Sequence, residues 1–336
     1  MLKIPLPDAQ VSSAAVLFRV SVIVPTIKRP APLRRALRSL VAQRSPPGTH
    51  IEIIVVDNSR DGSATAGVAA QFPRVRIAAE PHPGLARARN AGLRSAAGTF
   101  VAFLDDDQEA HPDWVAQLIA AAHSTGAAAV FGPVTAKLED ERSPGALGPF
   151  FERKINARDG EDITAQSARL GTNGALFLRR ALLEVGGFDV SVDRFGGEDS
   201  LAIARLRQSG GRFVWASDAR AVEWVAPERA TRDYVLRRKF LSGRIRTLVQ
   251  NRLGGPAASF RVLRWMGVGA VQCGVGVLMS LLWAPFSRDR AFAALASVSG
   301  GLGKIFWGPT LGGALYDESV YAKAGVLTSP ETRSAS

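Results

Sequence analysis

Cysteine is nearly absent. Cys273 stands alone in 336 residues, so no intramolecular disulfide can form and no cysteine cluster exists to hold zinc. That usage fits a reducing cytosol. Acidic residues are also short, 30 against 42 Lys and Arg, which leaves a formal charge of +12. Such an excess favours an anionic partner, whether nucleic acid, nucleotide phosphates or an acidic membrane surface, without choosing among them. The opening "MLKIPLPDAQVSSAAVLF" lacks the uninterrupted apolar stretch of a signal peptide, because Pro5, Pro7 and Asp8 fall inside it. Residues 1–17 therefore read as a flexible leader. No internal repeat is visible. What is present is 46% apolar residues over a length that supports a sizeable core and one or two units.

Two β-branched runs, "FRVSVIVPT" (18–26) and "IEIIVVDNS" (51–59), end in polar residues as buried parallel strands do. Between them "APLRRALRSLVAQ" puts Leu33, Leu37, Leu40 and Val41 on one helical face, completing a βαβ unit. "VRIAA" (75–79) and "TFVAFL" (99–104) supply two more strands around the helix of "GLARARNAGLRSAAG". An open, mostly parallel α/β sheet flanked by helices is expected. "HPDWVAQLIAAAHSTG" is a helix opened by Pro112 and closed by Gly126, and "AAAVFGPV" a further strand. Residues 137–169, rich in Gly, Pro and charge, read as a long excursion over the site. Beyond it come a strand at 174–179, a short helix to Val185, a helix from about Glu198 to Gln208 and a strand at 212–216.

In such sheets ligands gather beyond the carboxyl ends of the strands. Pro25-Thr26, Asp57-Asn58 and Asp105 to Asp107 all stand there. The triplet in "FLDDDQEAHPDW" invites several readings. An EF-hand loop fails, since its glycine position is Ala110 and its twelfth is Ala116. An aspartyl-phosphate nucleophile finds no partner motif downstream. Solvated turn acids remain the plain alternative. The last reading is an Asp-x-Asp pair, Asp105 and Asp107, gripping a nucleotide diphosphate through a hard divalent cation.

The ordered set "VSVIVPT", "EIIVVDNS", "GLARARNAG", "FLDDD", "GTNGALFLRRALLEVGGFD" and "GGED" resembles an inverting family 2 glycosyltransferase of GT-A fold, of the bacterial exopolysaccharide and lipid-linked glycan type, over about residues 21–246. The resemblance implies transfer of a sugar from a nucleotide diphosphate sugar to an acceptor hydroxyl. It places Pro25, Thr26 and Asp57 at the base, an Asp carboxylate suiting the imide N–H of uracil. Arg87 and Asn90, one turn apart, would face the nucleotide, while Arg89 and Arg94 read as solvated. Asp105 would touch the ribose or the metal's waters, and Asp107 would hold Mn²⁺ or Mg²⁺ on the diphosphate. Asp106, carried with the nucleotide set, alternates to the other side and reads as structural. Asp199 in "GGED" matches the family's base, with Glu198 beside it to orient a sugar; the plain alternative for both is a helix N-terminus. Thr172 and Asn173 are candidate sugar contacts.

"YVLRRKFLSGRIR" brings Arg237 and Arg238 to the diphosphate, yet lacks the Gln and Trp of the Gln-Arg-Arg-Trp motif of processive relatives, which argues for single sugar addition. Residues 228–260 read as a basic juxtamembrane helical segment after a catalytic domain at 18–227. Residues 261–316 read as apolar membrane-associated helices, and 317–336 as a flexible tail. "WMGVGAVQCGVGVLMSLLWAPFS" (265–287) is uncharged and about as long as a bilayer span, and its basic flanks would keep the catalytic domain on the cytoplasmic face of the inner membrane. It could equally lie in the interface or dock on the catalytic domain. The partners expected are a nucleotide sugar, with UDP-sugar favoured, a lipid-linked or oligosaccharide acceptor and the membrane, with no nucleic acid. Two rivals are a catalytically silent scaffold and nucleotidyl transfer. The latter would want a Gly-rich loop with Lys after the first strand, and "PTIKRPAP" is not that.

Overall fold

The computed structural model describes residues 18–140, 143–193 and 196–308. The expected leader, the tail and the stretch 309–316 lie outside the described residues. The elements in order are β1 (Phe18–Thr26), α1 (Pro30–Val41), β2 (Thr49–Asp57), β3 (Val75–Ala79), α2 (Leu85–Ser95), β4 (Phe100–Phe103), β5 (Gln108–Ala110), α3 (Trp114–Thr125), β6 (Ala129–Phe131), β7 (Val134–Leu138), β8 (Ala175–Leu178), α4 (Arg179–Glu184), α5 (Glu198–Gln208), β9 (Phe213–Trp215), β10 (Ala221–Val225), α6 (Arg232–Arg252), α7 (Ala258–Trp283) and α8 (Arg288–Ile305).

Seven strands form the main sheet in the order β3-β2-β1-β4-β8-β6-β9. All pairings are parallel except those of β8, which runs antiparallel to both β4 and β6. Alternate side chains face opposite layers. Val20, Val22 and Val24 pack with Leu33, Leu37, Trp114 and Leu118 under α1 and α3. Ile23, Phe103, Phe131, Phe177 and Phe213 pack on the other face with α2 and α5. On α1 the buried stripe is Leu33, Ala36, Leu37 and Leu40, while Val41, expected inside, turns outward and is 51% exposed.

A second sheet, β5-β10-β7, was not foreseen. Its strand β5 has three residues, "QEA", none β-branched or aromatic, so no local signal marks it. Its position matters for the site. The chain leaves the main sheet after β4, bends through Asp105 to Asp107 and joins the second sheet at Gln108. The three aspartates are thus the hinge between two sheets, with the Asp107 carbonyl accepting from Trp224 N at 2.8 Å. Within 228–260, read from sequence as a juxtamembrane segment, Val235 of α6 joins Ala136, Phe151 and Val225 in one core cluster.

Candidate active site

Strand ends create the site. Thr26 and Asp57 are register partners at the ends of β1 and β2, and the acid triplet follows β4 beside them. From the far half of the chain, two left-handed glycines, Gly196 (φ 73°) and Gly197 (φ 96°), turn the backbone into α5 so that Glu198 and Asp199 fall on its first turn. A Cβ at Gly197 would stand 2.6 Å from Ile245 Cγ2, so only glycine lets α6 approach this closely.

One guanidinium joins the halves. Arg89, expected to be solvated, is 3% exposed. It pairs with Glu198 Oε1 through Nη1 and lies 3.4 Å from Asp105 Oδ1 through Nη2. Its position on α2, next to small Ala86 and Ala88, lets the helix sink into the sheet and carry the arginine inward. Burial pushes the Glu198 carboxyl up to about 7 in spite of Arg89, with the neighbouring Asp199 adding to the shift. Asp105 is raised as well, by burial first, with Arg89 opposing and Asp107 and Asp199 reinforcing.

The other two aspartates are held by arginines. Asp106, buried at 5% exposure, accepts from Thr26 Oγ1 at 2.8 Å and from Arg29 Nη1 at 2.5 Å. It buttresses β1 from behind, as its alternation suggested, and does not present a free carboxylate to a nucleotide. Burial lifts it to about 7 against the pull of Arg29. Asp107 Oδ2 accepts from Arg229 Nη1 at 2.7 Å and from both terminal nitrogens of Arg29 at 3.3 Å. Arg229 also binds Glu223 Oε1 at 2.8 Å. Burial raises Glu223, opposed by Arg238 and Arg229. Arg29 and Arg229 end up raised, since these carboxylates outweigh their desolvation.

Several expected contacts fall elsewhere. The Asp57 carboxylate is spent on its own loop: Oδ1 accepts from Ser59 N and Oγ, Oδ2 from Thr65 N and Oγ1, at 2.5–3.0 Å. At 2% exposure it is buried against that loop. Asn90 closes a two-way pair with the Phe188 backbone, donating to its carbonyl at 2.7 Å and accepting from its N–H at 2.9 Å, so it fixes α2 to the loop that follows α4. Arg87 keeps 43% of its side chain exposed and sits 3.7 Å from Asp193. Thr172 is fully buried with its hydroxyl unpartnered, and Asn173 is half-buried with its carbonyl taken by Arg153. Arg237 is exposed on α6; Arg238 lies 4.9 Å over the Phe151 ring and faces Glu223 electrostatically.

Five residues escaped sequence reasoning: Arg29, Arg89, Arg153, Glu223 and Arg229. Arg153, inside the excursion, holds the carbonyls of Gly132, Gly171, Asn173 and Gly174 and so shapes the "GTN" loop. Burial lowers it to about 10. The signal for Arg29 and Arg229 was a basic residue one loop beyond a strand end, which many surface arginines share.

Asp199 differs from every other acid here. Its Oδ1 accepts from Ser200 N at 2.5 Å and Oγ at 3.2 Å, whereas Oδ2 stands beside Gly171, 3.0 Å from where a Cβ would lie. Glycine at 171 therefore leaves open space at that oxygen, on a half-buried residue. A divalent cation fits the donor set. The donors at Asp105 and Asp107 are carboxylate oxygens, hard ligands of the kind such an ion prefers. Among the described residues no three acidic or imidazole groups converge into a preformed cage.

Comparison with known proteins identifies the family. The model of the family described as glycosyl transferase family 2 matches residues 21–187. The succinoglycan biosynthesis protein ExoM of Rhizobium meliloti is 32% identical over 233 residues, 67% of this chain and 73% of its own. The glycosyltransferase AglE of Haloferax volcanii is 28% identical over 59% of this chain and 64% of its own. Among solved structures, the mannosyltransferase PcManGT of Pyrobaculum calidifontis, determined with GDP-Man and Mn²⁺, superposes with a TM-score of 0.55 at 20% identity, covering 91% of each chain. It shares the fold, a GT-A architecture with a mostly parallel sheet. The matched model, the similarity to ExoM and the acids gathered at the strand ends lead to one assignment: the chain belongs to glycosyl transferase family 2 and is a glycosyltransferase.

Proposed function

We propose that this enzyme moves one sugar, with inversion, from a nucleotide diphosphate sugar to a hydroxyl of a lipid-linked glycan acceptor at the cytoplasmic face of the inner membrane, in the assembly of a surface polysaccharide. The observation that carries the chemistry is Arg89. It ties Asp105, at the donor end of the sheet, to Glu198, next to Asp199, so that a donor group and a base belong to one electrostatic unit. Surface polysaccharide is supported by the likeness to ExoM, and the membrane by α7, which is long and apolar enough to cross one by length and composition.

Asp199 Oδ2 takes the acceptor's hydroxyl proton as that oxygen bonds to the anomeric carbon; the anomeric C–O bond to phosphate breaks on the opposite side, and the nucleoside diphosphate leaves with the electron pair. Ser200 fixes the other oxygen of Asp199 and so aims the free one. Glu198, held by Arg89, positions rather than accepts. Asp105 and Asp107 would hold Mn²⁺ or Mg²⁺, which when bound offsets the charge on the leaving diphosphate. Arg229 and Arg29, now on Asp107, stand close enough to assist phosphate binding. Thr172, Asn173, Arg87, Arg237 and Arg238 remain donor or acceptor contacts in this reading. UDP-sugars are the first donors to test and GDP-sugars the second, the latter because PcManGT was solved with GDP-Man.

The test is transfer or donor hydrolysis across a panel of nucleotide sugars with and without Mn²⁺, comparing wild type with Asp107→Asn and Asp199→Asn. Metal-dependent turnover lost in both variants is expected. Unchanged activity in both would overturn the site assignment, and turnover indifferent to chelators would overturn the metal.

A further inference from the structure

Helix α7 presents two unlike faces. Val262, Gly269 and Gly276 repeat every seven residues and point inward, where α8 packs against them; Cβ atoms at Gly269 and Gly276 would stand 2.7 Å from the Gly301 carbonyl oxygen and 2.6 Å from Val298. The opposite face is outward and apolar for the whole helix: Phe260, Leu263, Val271, Val275, Leu278 and Leu282 are each more than half exposed. Between Trp265 and Trp283 it carries no charge. Arginines gather at both ends, Arg261 and Arg264 before and Arg288 and Arg290 after.

Both ends of this helix are held to the catalytic unit. Near its start, Arg246 of α6 lies 5.9 Å over the Trp265 ring. Just past its end, Asp289 pairs with Arg232 at 3.2 Å, the Arg232 guanidinium sits 5.0 Å over Phe292, and that ring lies 5.8 Å from Phe150. Helix α8 then runs alongside α6, with Ser299 Oγ donating to the Leu236 carbonyl at 2.8 Å and Thr247 Oγ1 to the Lys304 carbonyl at 3.0 Å. At Gly243 a Cβ would meet the Gly300 carbonyl at 2.0 Å, so the two backbones touch. Helix α6 in turn lies on the site, through Ile245 against Gly197 and through Arg229 just before its first turn.

A crossing helix must deliver its two ends to opposite sides of the bilayer. Here α7 could cross only by dragging α8 and the basic α6, with Arg237, Arg238, Lys239, Arg244 and Arg246, into hydrocarbon. We infer that α7 lies in the plane of an anionic membrane as a one-sided anchor, its outward face in the acyl boundary and the arginines at its two ends on the lipid headgroups. The occupant is a lipid surface rather than a second copy of the chain. An uncharged face about 28 Å long from Trp265 to Trp283, at 1.5 Å per residue, with cationic residues at both ends matches anionic headgroups over an apolar layer, whereas two such faces apposed would set arginine against arginine. The anchor also has a consequence for the acceptor. Only α6 stands between it and the first turn of α5, two interaxial steps of about 10 Å each, which suits an acceptor whose lipid stays in the membrane. This inference rests on the membrane association proposed above and commits it to one geometry.

Two measurements on the full chain test it. In a Cys273→Ser background, Asn251→Cys and Arg288→Cys flank α7 and are probed with a membrane-impermeant maleimide. Both should react in inverted membrane vesicles and both should be protected in intact spheroplasts. Labelling of position 288 from the opposite side to position 251 would show a span and overturn the inference while leaving membrane association standing. Separately, purified protein is floated with vesicles of phosphatidylcholine alone or mixed with phosphatidylglycerol. Wild type should float with the anionic vesicles, and Val271→Glu/Leu278→Glu/Leu282→Glu should reduce that fraction roughly tenfold or more, with turnover of a water-soluble acceptor unchanged. A wild type that ignores both vesicles and sediments as a dimer, which the triple variant makes monomeric, would overturn the inference and the membrane association together.

Discussion

Arg229 Nη1 donates to Asp107 Oδ2 at 2.7 Å, joining the acid triplet to a residue 122 positions later in the chain. Its second terminal nitrogen binds Glu223, so one cation neutralises two buried carboxylates, one from each sheet junction. Removing it takes the hydrogen-bonded partner from Glu223 and leaves Asp107 to Arg29 alone. Arg229→Ala is expected to cost about 3 kcal/mol, the lower end for a broken buried pair because a quarter of the arginine side chain is exposed. Adding Glu223→Ala should return part of that loss, since one stranded charge is then gone. Denaturant titration of the two variants checks this; a double variant no more stable than the single would show that the two groups are not coupled.

The raised acids make stability fall toward neutral pH. Glu198 and Asp106, both near 7 in the fold, bind protons more tightly there than in the unfolded chain. Their favourable contribution is therefore complete below the unfolded values near 4 and is lost as pH rises through about 7, by at most about 1.4 kcal/mol per pH unit for each group. Unfolding midpoints of wild type and Glu198→Gln across that window should diverge in slope, the variant being flatter. Parallel slopes would contradict the assignment.

A divalent cation on Asp105 and Asp107 would compete with the proton that burial favours on Asp105. Mn²⁺ at about a hundred times its dissociation constant should add about 2.7 kcal/mol to stability, and the gain should be larger on the alkaline side of the acids' titration than below it, because binding requires the ionised carboxylates. Asp105→Asn should remove most of the effect. Thermal melts with Mn²⁺ or with chelator at two pH values supply the measurement.

Much of this was legible in the sequence, for reasons that are local. β1 and β2 are β-branched runs ending in polar letters, and α5 begins at Glu198 as its glycines and carboxylates indicate. The polar clusters at strand ends were found because topology alone sends them there. Partnership was not legible. Arg89 reads as one more exposed arginine of α2, and only the antiparallel insertion of β8, which brings α5 beside α2, gives it Glu198. Asp57 looked free because the sequence, although Asp61-Gly62 marks a turn, does not show that the loop folds back to bring Ser59 and Thr65 onto its carboxylate. β5 was too short to signal, and with it went the second sheet that supplies Glu223 and leads to Arg229.

The division of labour within "GGED" gives a kinetic test. Asp199 has one oxygen free beside Gly171, while Glu198 is paired with Arg89. Asp199→Asn should lower kcat by about 10²–10⁴ with donor affinity nearly unchanged, the range for loss of a positioned base. Glu198→Gln should instead raise KM for the donor alongside a smaller loss in kcat, since its role passes through Arg89 to Asp105. Rapid-quench turnover and donor titration separate the two; the reverse pattern would make Glu198 the base.

Gly197 couples that pair to α6, and its requirement can be split into two parts. Its φ of 96° is strained for any side chain, and a Cβ would press on Ile245 Cγ2 at 2.6 Å. Gly197→Ala should cost about 1–3 kcal/mol from the backbone alone, with the contact added. Ile245→Ala removes the contact and leaves the backbone term, so the double variant should recover stability only in part. Activity should follow a different course. Because Glu198 and Asp199 are the next two residues, a shifted backbone misaims the base, and kcat of Gly197→Ala should fall even below its unfolding temperature while Ile245→Ala alone keeps most of it. Recovery of full stability and full kcat in the double variant would show that contact with α6, and not the left-handed turn, is what requires glycine here.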